Sequence, residues 1–305
     1  MTNTRRAGLL LALSTAAISG VAVFLNGNGV RAFGNASLYT TAKNIIAALV
    51  LLAVVAVGSR GGARLDRPSS PRQWLGLGAV AVIGGSVPFL LFFEGLARAS
   101  STQSAFLHKT LVVWVALLAV PLLGERLTWA HVGAIALLVA GQIGLVGGVS
   151  SALGSGELLI LTATLLWAVE VVLAKKLLSG LSSWTVGVAR MGGGSVVLVA
   201  WAVARGQAGK LLTMDATQWG WVLLTGVILA AYVATWFAAL ARAQALDVTA
   251  VLVLAALVTA GLQATVDGAA LGPQLIWLAM LLAGGLIVSV QAWRARDPRT
   301  AVAAA

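Results

Sequence analysis

Ten stretches of about 20 predominantly apolar residues, the length needed to cross the hydrocarbon core of a bilayer as an α-helix, follow one another along a chain of 305 residues. They fall near 7–25, 35–57, 74–97, 101–122, 129–148, 156–176, 182–204, 218–241, 246–267 and 274–293, numbered here as spans 1 to 10. A chain built this way has few options. In lipid the backbone N–H and C=O groups must be satisfied within the segment, and runs of this length achieve that as helices. Charged residues make up only 10% of the chain and its mean hydropathy is +0.98, which excludes a soluble globule. The boundaries hold residues that stop or start helices: Gly58-Ser59-Arg60-Gly61-Gly62, Pro68 and Pro71, Gly147-Gly148, Gly154 and Gly272-Pro273. Arg5-Arg6 followed by an apolar run has the outline of a signal peptide, but the run is long enough to span and many others follow, so it reads as the first membrane helix.

The tetrapeptide Leu96-Ala97-Arg98-Ala99 recurs as Leu240-Ala241-Arg242-Ala243, an interval of 144 residues. The same shift brings Gly76 onto Gly220, Phe93 onto Phe237, Gly124 onto Gly268, Leu137-Leu138 onto Leu281-Leu282 and Gly141 onto Gly285. The chain therefore reads as two copies of one five-span unit, residues 1–150 and 151–305. With the N-terminus placed in the cytoplasm, thirteen basic residues fall on the cytoplasmic side, among them Arg60, Lys175, Lys176, Arg294, Arg296 and Arg299. Only Arg31, Arg98, Arg205 and Lys210 fall on the other side. That asymmetry predicts both termini in the cytoplasm. Five spans per copy then set the copies in opposite orientations, Arg98 outside and its counterpart Arg242 inside. The expected fold is an all-α polytopic membrane protein of ten transmembrane helices in two inverted five-helix repeats. The net charge of +11 is dispersed between apolar segments instead of forming a stripe, which argues for a topology signal and against nucleic acid.

The segment from Phe92-Phe93-Glu94-Gly95 through Pro121-Leu122-Leu123-Gly124-Glu125-Arg126-Leu127-Thr128, with Gly133 and Gly141, resembles the repeat unit of EamA-type members of the drug/metabolite transporter superfamily. Leu165-Leu166-Trp167-Ala168 and Arg190 are similar to the signatures of the first two helices of that unit. Copy one differs in having Ser19-Gly20 where Trp-Gly is usual and Lys43 where Arg is usual, and copy two has Gly268-Ala269 for Gly-Glu. The resemblance implies a secondary carrier in a bacterial or archaeal plasma membrane. It further implies a central cavity lined by spans 1, 3, 4, 6, 8 and 9, with spans 5 and 10 at the periphery.

An ionisable group at mid-membrane costs on the order of 2.5–3.5 kcal/mol on insertion scales, so each requires a partner or water. At a rise of about 1.5 Å per residue, Lys43 and Lys109 lie roughly 12 Å below the outer ends of spans 2 and 4, His108 beside Lys109, and Glu94 about one turn below the outer end of span 3. Glu170 and Arg190 lie roughly 9 and 12 Å from the inner ends of spans 6 and 7. Two clusters are expected, one in each half of the membrane. Glu94 with Lys109 and Glu170 with Arg190 read either as structural ion pairs or as substrate ligands, and Lys43 either snorkels outward or faces the cavity. His108 is the residue most able to exchange a proton near neutral pH, or else a helix–helix hydrogen-bonding group.

Polar residues at helical spacing mark the faces turned inward: Thr15, Ser19 and Asn26 on span 1; Ser101, Ser104 and His108 on span 4; Trp167 and Glu170 on span 6; Tyr232 and Trp236 on span 8; Thr259, Gln263 and Asp267 on span 9. The Ser and Thr hydroxyls serve equally as helix-packing groups, and Tyr232 with Trp236 either stacks on a ligand or fills a core. Asp247 and Asp267 lie near helix ends, where solvation accounts for them. Glu125 is expected to stabilise the turn after span 4.

The chain has no Cys, no zinc-protease or Gly-x-Ser-x-Gly motif and no Gly-rich phosphate loop, so neither catalysis, a metal nor a cofactor is implied. The expected partners are the lipid bilayer, a small-molecule substrate and, as a coupling ion, protons. Embedded cations outnumber carboxylates, which points to a small amphipathic metabolite such as an amino acid or other carboxylate. An intramembrane enzyme and a channel or structural membrane protein are the alternatives.

Overall fold

The protein's structure, a computed structural model, describes residues 2–58, 62–96, 98–99, 101–147 and 154–294. For Thr2, Asn3, Ser101, Thr102, Gln103 and Ala105 it describes the backbone only. Arg60, Arg296 and Arg299 of the charge asymmetry, Ser59 and Gly61, Ala97 of the repeated tetrapeptide and Gly148 lie outside the described residues, as does the Ser101 side chain.

Ten helical spans are present among the described residues: α1 (Thr2–Phe33), α2 (Ala36–Gly58), α3 (Pro71–Leu96), α4 (Ser101–Lys109 continued by Leu111–Leu123), α5 (Trp129–Leu145), α6 (Ser155–Leu177), α7 (Ser183–Ala204), α8 (Ala216–Arg242), α9 (Ala245–Val266) and α10 (Leu275–Arg294). Nine are long and apolar enough to cross a membrane, and α5 is shorter at 17 residues. Their starts are set by side chains that accept otherwise unpaired amides of the first turn: Ser70 accepts from Gln73, Thr128 from His131, Ser182 from Thr185 and Asp215 from Gln218. Several stops use glycine in the left-handed region, and these obey the repeat. Gly62 and Gly206 have φ of 93° and 66°, Gly124 and Gly268 of 66° and 69°, each pair separated by the interval that relates the copies.

The packing is that of an inverted repeat whose halves interlock. The first span of each copy lies on the third span of the other, α1 on α8 and α6 on α3, and the second spans follow, α2 on α8 and α7 on α3. The remaining contacts exchange in the same way: α4 packs on α6 as α9 packs on α1, while α5 meets its counterpart α10 and α4 meets α9. The Arg6 guanidinium stands 4.6 Å from the centroid of the Trp293 ring, so α1 begins and α10 ends at one end of the bundle, called here the terminal end. An even number of crossings follows.

Among the described residues four spans depart from continuous α-helix, α3 and α7 where they face each other and α4 and α9 at equivalent positions of the two copies. In α3 the helix breaks at residues 84–86; Pro88 has no N–H, so the Gly84 carbonyl loses the donor it would meet four residues on. Trp167 Nε1 of α6 donates to that carbonyl at 3.1 Å, and Asn44 Nδ2 of α2 donates to the carbonyl of Gly85 at 3.3 Å. Opposite this break α7 widens into a π turn over Ala189–Gly193, and the backbones of Gly85 and Gly194 approach so closely that no Cβ fits between them. In α4 the helix tightens at Thr110: beside the ordinary bonds to Phe106 and from Trp114, its amide also bonds back to Leu107 and its carbonyl also accepts from Val113, two bonds that span three residues. The same two bonds recur in α9, from Leu254 to Val251 and from Leu257 to Leu254.

A central cavity with cations on its wall

The helix breaks meet at a cavity of about 190 Å³ in the middle of the bundle, room for a few waters at about 30 Å³ each or for a small metabolite. Its wall comes from α1, α2, α3, α4, α6, α7, α8 and α9. The spans expected to line it do so, α2 and α7 join them through Lys43 and Arg190, and α5 and α10 contribute nothing. The two clusters expected in opposite halves of the membrane are therefore one site: Lys43, His108, Lys109, Glu170 and Arg190 all face the same space.

Two of the cations are held by the residues one span earlier. Arg190 Nε lies 3.4 Å from Glu170 Oε1, a buried ion pair outside hydrogen-bond geometry, and its guanidinium carbon lies 5.8 Å from the centroid of the Phe89 ring. Lys43, only 5% exposed, does not snorkel outward. Its Nζ donates to Asn26 Oδ1 at 3.2 Å and sits 4.9 Å from the centroid of the Tyr39 ring. The Tyr39 hydroxyl is itself 2.8 Å from both Asn26 Oδ1 and Thr225 Oγ1. Asn26 and Glu170 are separated by the repeat interval, so copy one holds its cation with a neutral amide where copy two neutralises its own with a carboxylate.

Lys109 differs from both. It stands on the cavity wall with no hydrogen bond or ion pair to a described residue. Beside it His108 packs edge-on against Trp167 with ring centroids 4.9 Å apart, and against Phe92 at 5.3 Å, with Nδ1 buried and unpaired. Across the cavity Tyr232 and Trp236 lie parallel, 10° between planes and 6.0 Å between centroids. Ser19 lines the cavity as well. Among the described residues no group of three His, Asp or Glu side chains is placed to hold a metal ion.

Three sequence-derived candidates are elsewhere. Glu94 does not pair with Lys109: its side chain is exposed and binds Arg98, four residues on and one helical turn away. Gln263 is exposed on α9, whereas Thr259 of the same face donates to the Gly20 carbonyl of α1 at 3.0 Å, the packing role open to such hydroxyls. Ser104 is buried but away from the cavity. Asp247 is corrected most sharply. It is fully buried and bound by Arg5 and His131, not solvated. Sequence reading missed Phe89 and Thr225, which are ordinary core residues by type, and missed His131, whose spacing from Thr128 as a Thr-x-x-His cap was the available sign.

The model of the EamA-like transporter family matches residues 6–147 and again 154–291, one match per copy. The chain belongs to the EamA-like transporter family, within the drug/metabolite transporter superfamily. A solved crystal structure of another protein superposes with a TM-score of 0.73 over 93% of this chain and 98% of that one, at 17% identity. This likeness shows a common fold. No curated protein matches the chain.

Proposed function

We propose that the protein is a secondary carrier that moves a small amphipathic anion, such as an amino acid or other carboxylate, by exposing the central cavity to one side of the membrane and then the other. The observation that carries this reading is Lys109, a cation facing the cavity with no counter-ion among the described residues. Among the described residues of the wall, Lys43, Lys109 and Arg190 face Glu170 as the one carboxylate, so an entering carboxylate meets an excess of positive charge that lipid cannot satisfy. The ammonium binds it as a point charge. The parallel Tyr232 and Trp236 and the edge of Trp167 offer the apolar part of the solute a flat aromatic surface. Interlocked inverted repeats supply two equivalent arrangements related by exchange of the halves. His108, with a free ring nitrogen at the same wall, is the residue placed to take up a coupling proton. The excess of basic residues on one side supports a plasma-membrane orientation with both termini in the cytoplasm.

Counterflow in proteoliposomes tests the carrier. Internal unlabelled amino acid or carboxylate should accelerate uptake of the labelled solute, and flux should saturate. Conductance without saturation or exchange would overturn the reading. A thermal-shift screen against amino acids, organic acids, phosphates and nucleosides should show stabilisation by carboxylates before the others, and that stabilisation should vanish in Lys109→Ala.

A further inference from the structure

Between the cavity and the terminal end lies a second set of buried charges that solute binding does not use. Asp247, in the first turn of α9, has Oδ2 at 2.8 Å from Nη2 of Arg5 in α1 and Oδ1 at 3.0 Å from Nε2 of His131 in α5. The tautomer of that histidine is fixed by its cap. The backbone N–H of Thr128 donates to Nδ1 at 3.2 Å, so the proton of the neutral ring resides on Nε2 and points at Asp247. Glu125, in the turn between α4 and α5, accepts from the amides of Ala245 and Leu246 at 2.6 and 2.9 Å, the two that open α9. Burial pushes the pKa of the Glu125 carboxyl up while those amides pull it down. Gln291 of α10 donates to Thr128 Oγ1. Every one of these side-chain contacts except that of His131 with its own cap joins copy one to copy two.

The opposite end of an inverted repeat should carry the same set, and the sequence shows that it does not. At the repeat interval Asp247 corresponds to Gln103, His131 to Leu275, Glu125 to Ala269 and Arg5 to Val149. Leu252 lines the cavity and Asp247 is five residues nearer the terminal end, about 7.5 Å of helix. Ala245, Leu246, Asp247 and Val248, the turn of α9 on that side of Leu252, are each 0% exposed.

We infer that the Arg5–Asp247–His131 cluster is a lock between the repeats that holds the terminal-end gate closed, so that the carrier rests with its cavity accessible from the opposite end. The inference rests on the carrier reading above, but its test reads accessibility and not transport. Because the chain has no Cys, Leu252→Cys places a single reporter thiol at the cavity floor. In proteoliposomes of defined orientation, a membrane-impermeant maleimide should label it from the far side. Asp247→Asn, which keeps the shape and removes the charge, should raise labelling from the terminal side at least fivefold and lower it from the far side. If Asp247→Asn does not fold, as judged by gel filtration, Arg5→Gln decides, since it removes one partner at the rim of the cluster. Glu94→Gln, outside both sites, is the control and should leave labelling from either side unchanged. Unchanged labelling in the folded lock variants would overturn the lock even if solute flux were robust. A labelling shift without any saturable flux would support the lock and overturn the carrier.

Discussion

α4 and α9 are the same helix built twice and used for different ends. Both tighten at the same register, Thr110 in one and Leu254 in the other, with the same pair of short bonds on either side. Just before that turn α4 carries His108 and Lys109 and α9 carries Leu252 and Val253. In this pair of helices the backbone geometry belongs to both copies, whereas charge belongs to one; the break in α3 and the π turn in α7 have no such counterpart in the continuous helices α8 and α2. A similar division holds between α1 and α6, where Asn26 and Glu170 occupy equivalent positions and each meets a cation from the next span. Copy two is neutralised at that point and copy one is not, so the net positive charge of the cavity comes from copy one through Lys43 and Lys109.

Substitutions that strike charge should separate the copies, and those that strike backbone should not. The largest effect is expected for Glu170→Gln, which leaves Arg190 buried without its counter-ion and should cost about 3–5 kcal/mol in thermal or denaturant unfolding in detergent. Asn26→Ala, at the equivalent position, removes the neutral acceptor shared by Lys43 and the Tyr39 hydroxyl and leaves no carboxylate partner missing, so a smaller loss of about 1.5–3 kcal/mol is expected; equal losses at the two positions would break the comparison. Next, Lys109→Met should weaken the carboxylate concentration giving half-maximal counterflow by about tenfold or more, the equivalent of roughly 1.4 kcal/mol, with no loss of melting temperature. Val253→Ala, its partner in α9, should leave that concentration within about twofold. Trp167→Phe strips the donor from the Gly84 carbonyl, a buried acceptor, and should cost about 1–3 kcal/mol. The smallest effects are reserved for the turns: Gly124→Ala and Gly268→Ala each force a side chain into the left-handed region and should cost about 1–2 kcal/mol, alike in both copies. A difference between the two exceeding the measurement error would show that the scaffold is less symmetric than its backbone.

The fold was legible because its causes are periodic and local. Span length, the glycine and proline punctuation, the repeat interval and the basic asymmetry all act through residues whose positions alone carry the meaning, and the ten spans, their duplication and their inversion follow from them. The candidate site was legible only in part. Depth along a helix placed Lys43, Lys109, Glu170 and Arg190, but depth says nothing about azimuth, and it divided one cavity into two clusters. Glu94 was set beside Lys109 by depth alone, whereas its partner is Arg98, one turn further along its own chain. Asp247 was assigned to water for the same kind of reason. An acid at a helix end is usually solvated, and only the tertiary approach of Arg5 and His131 from the other copy makes burial affordable. Exchange of packing partners between repeats is the component that no local pattern encodes.

The short bonds at Thr110 also set the phase of α4. A turn of three residues advances about 120° per residue where an α-helix advances about 100°, so the two stretches on either side of Thr110 present faces offset from a continuous helix. Lys109 sits at that seam. The direction in which the Lys109 ammonium meets the cavity is thus set by the winding of α4 at Thr110 as well as by the residue's depth along the helix.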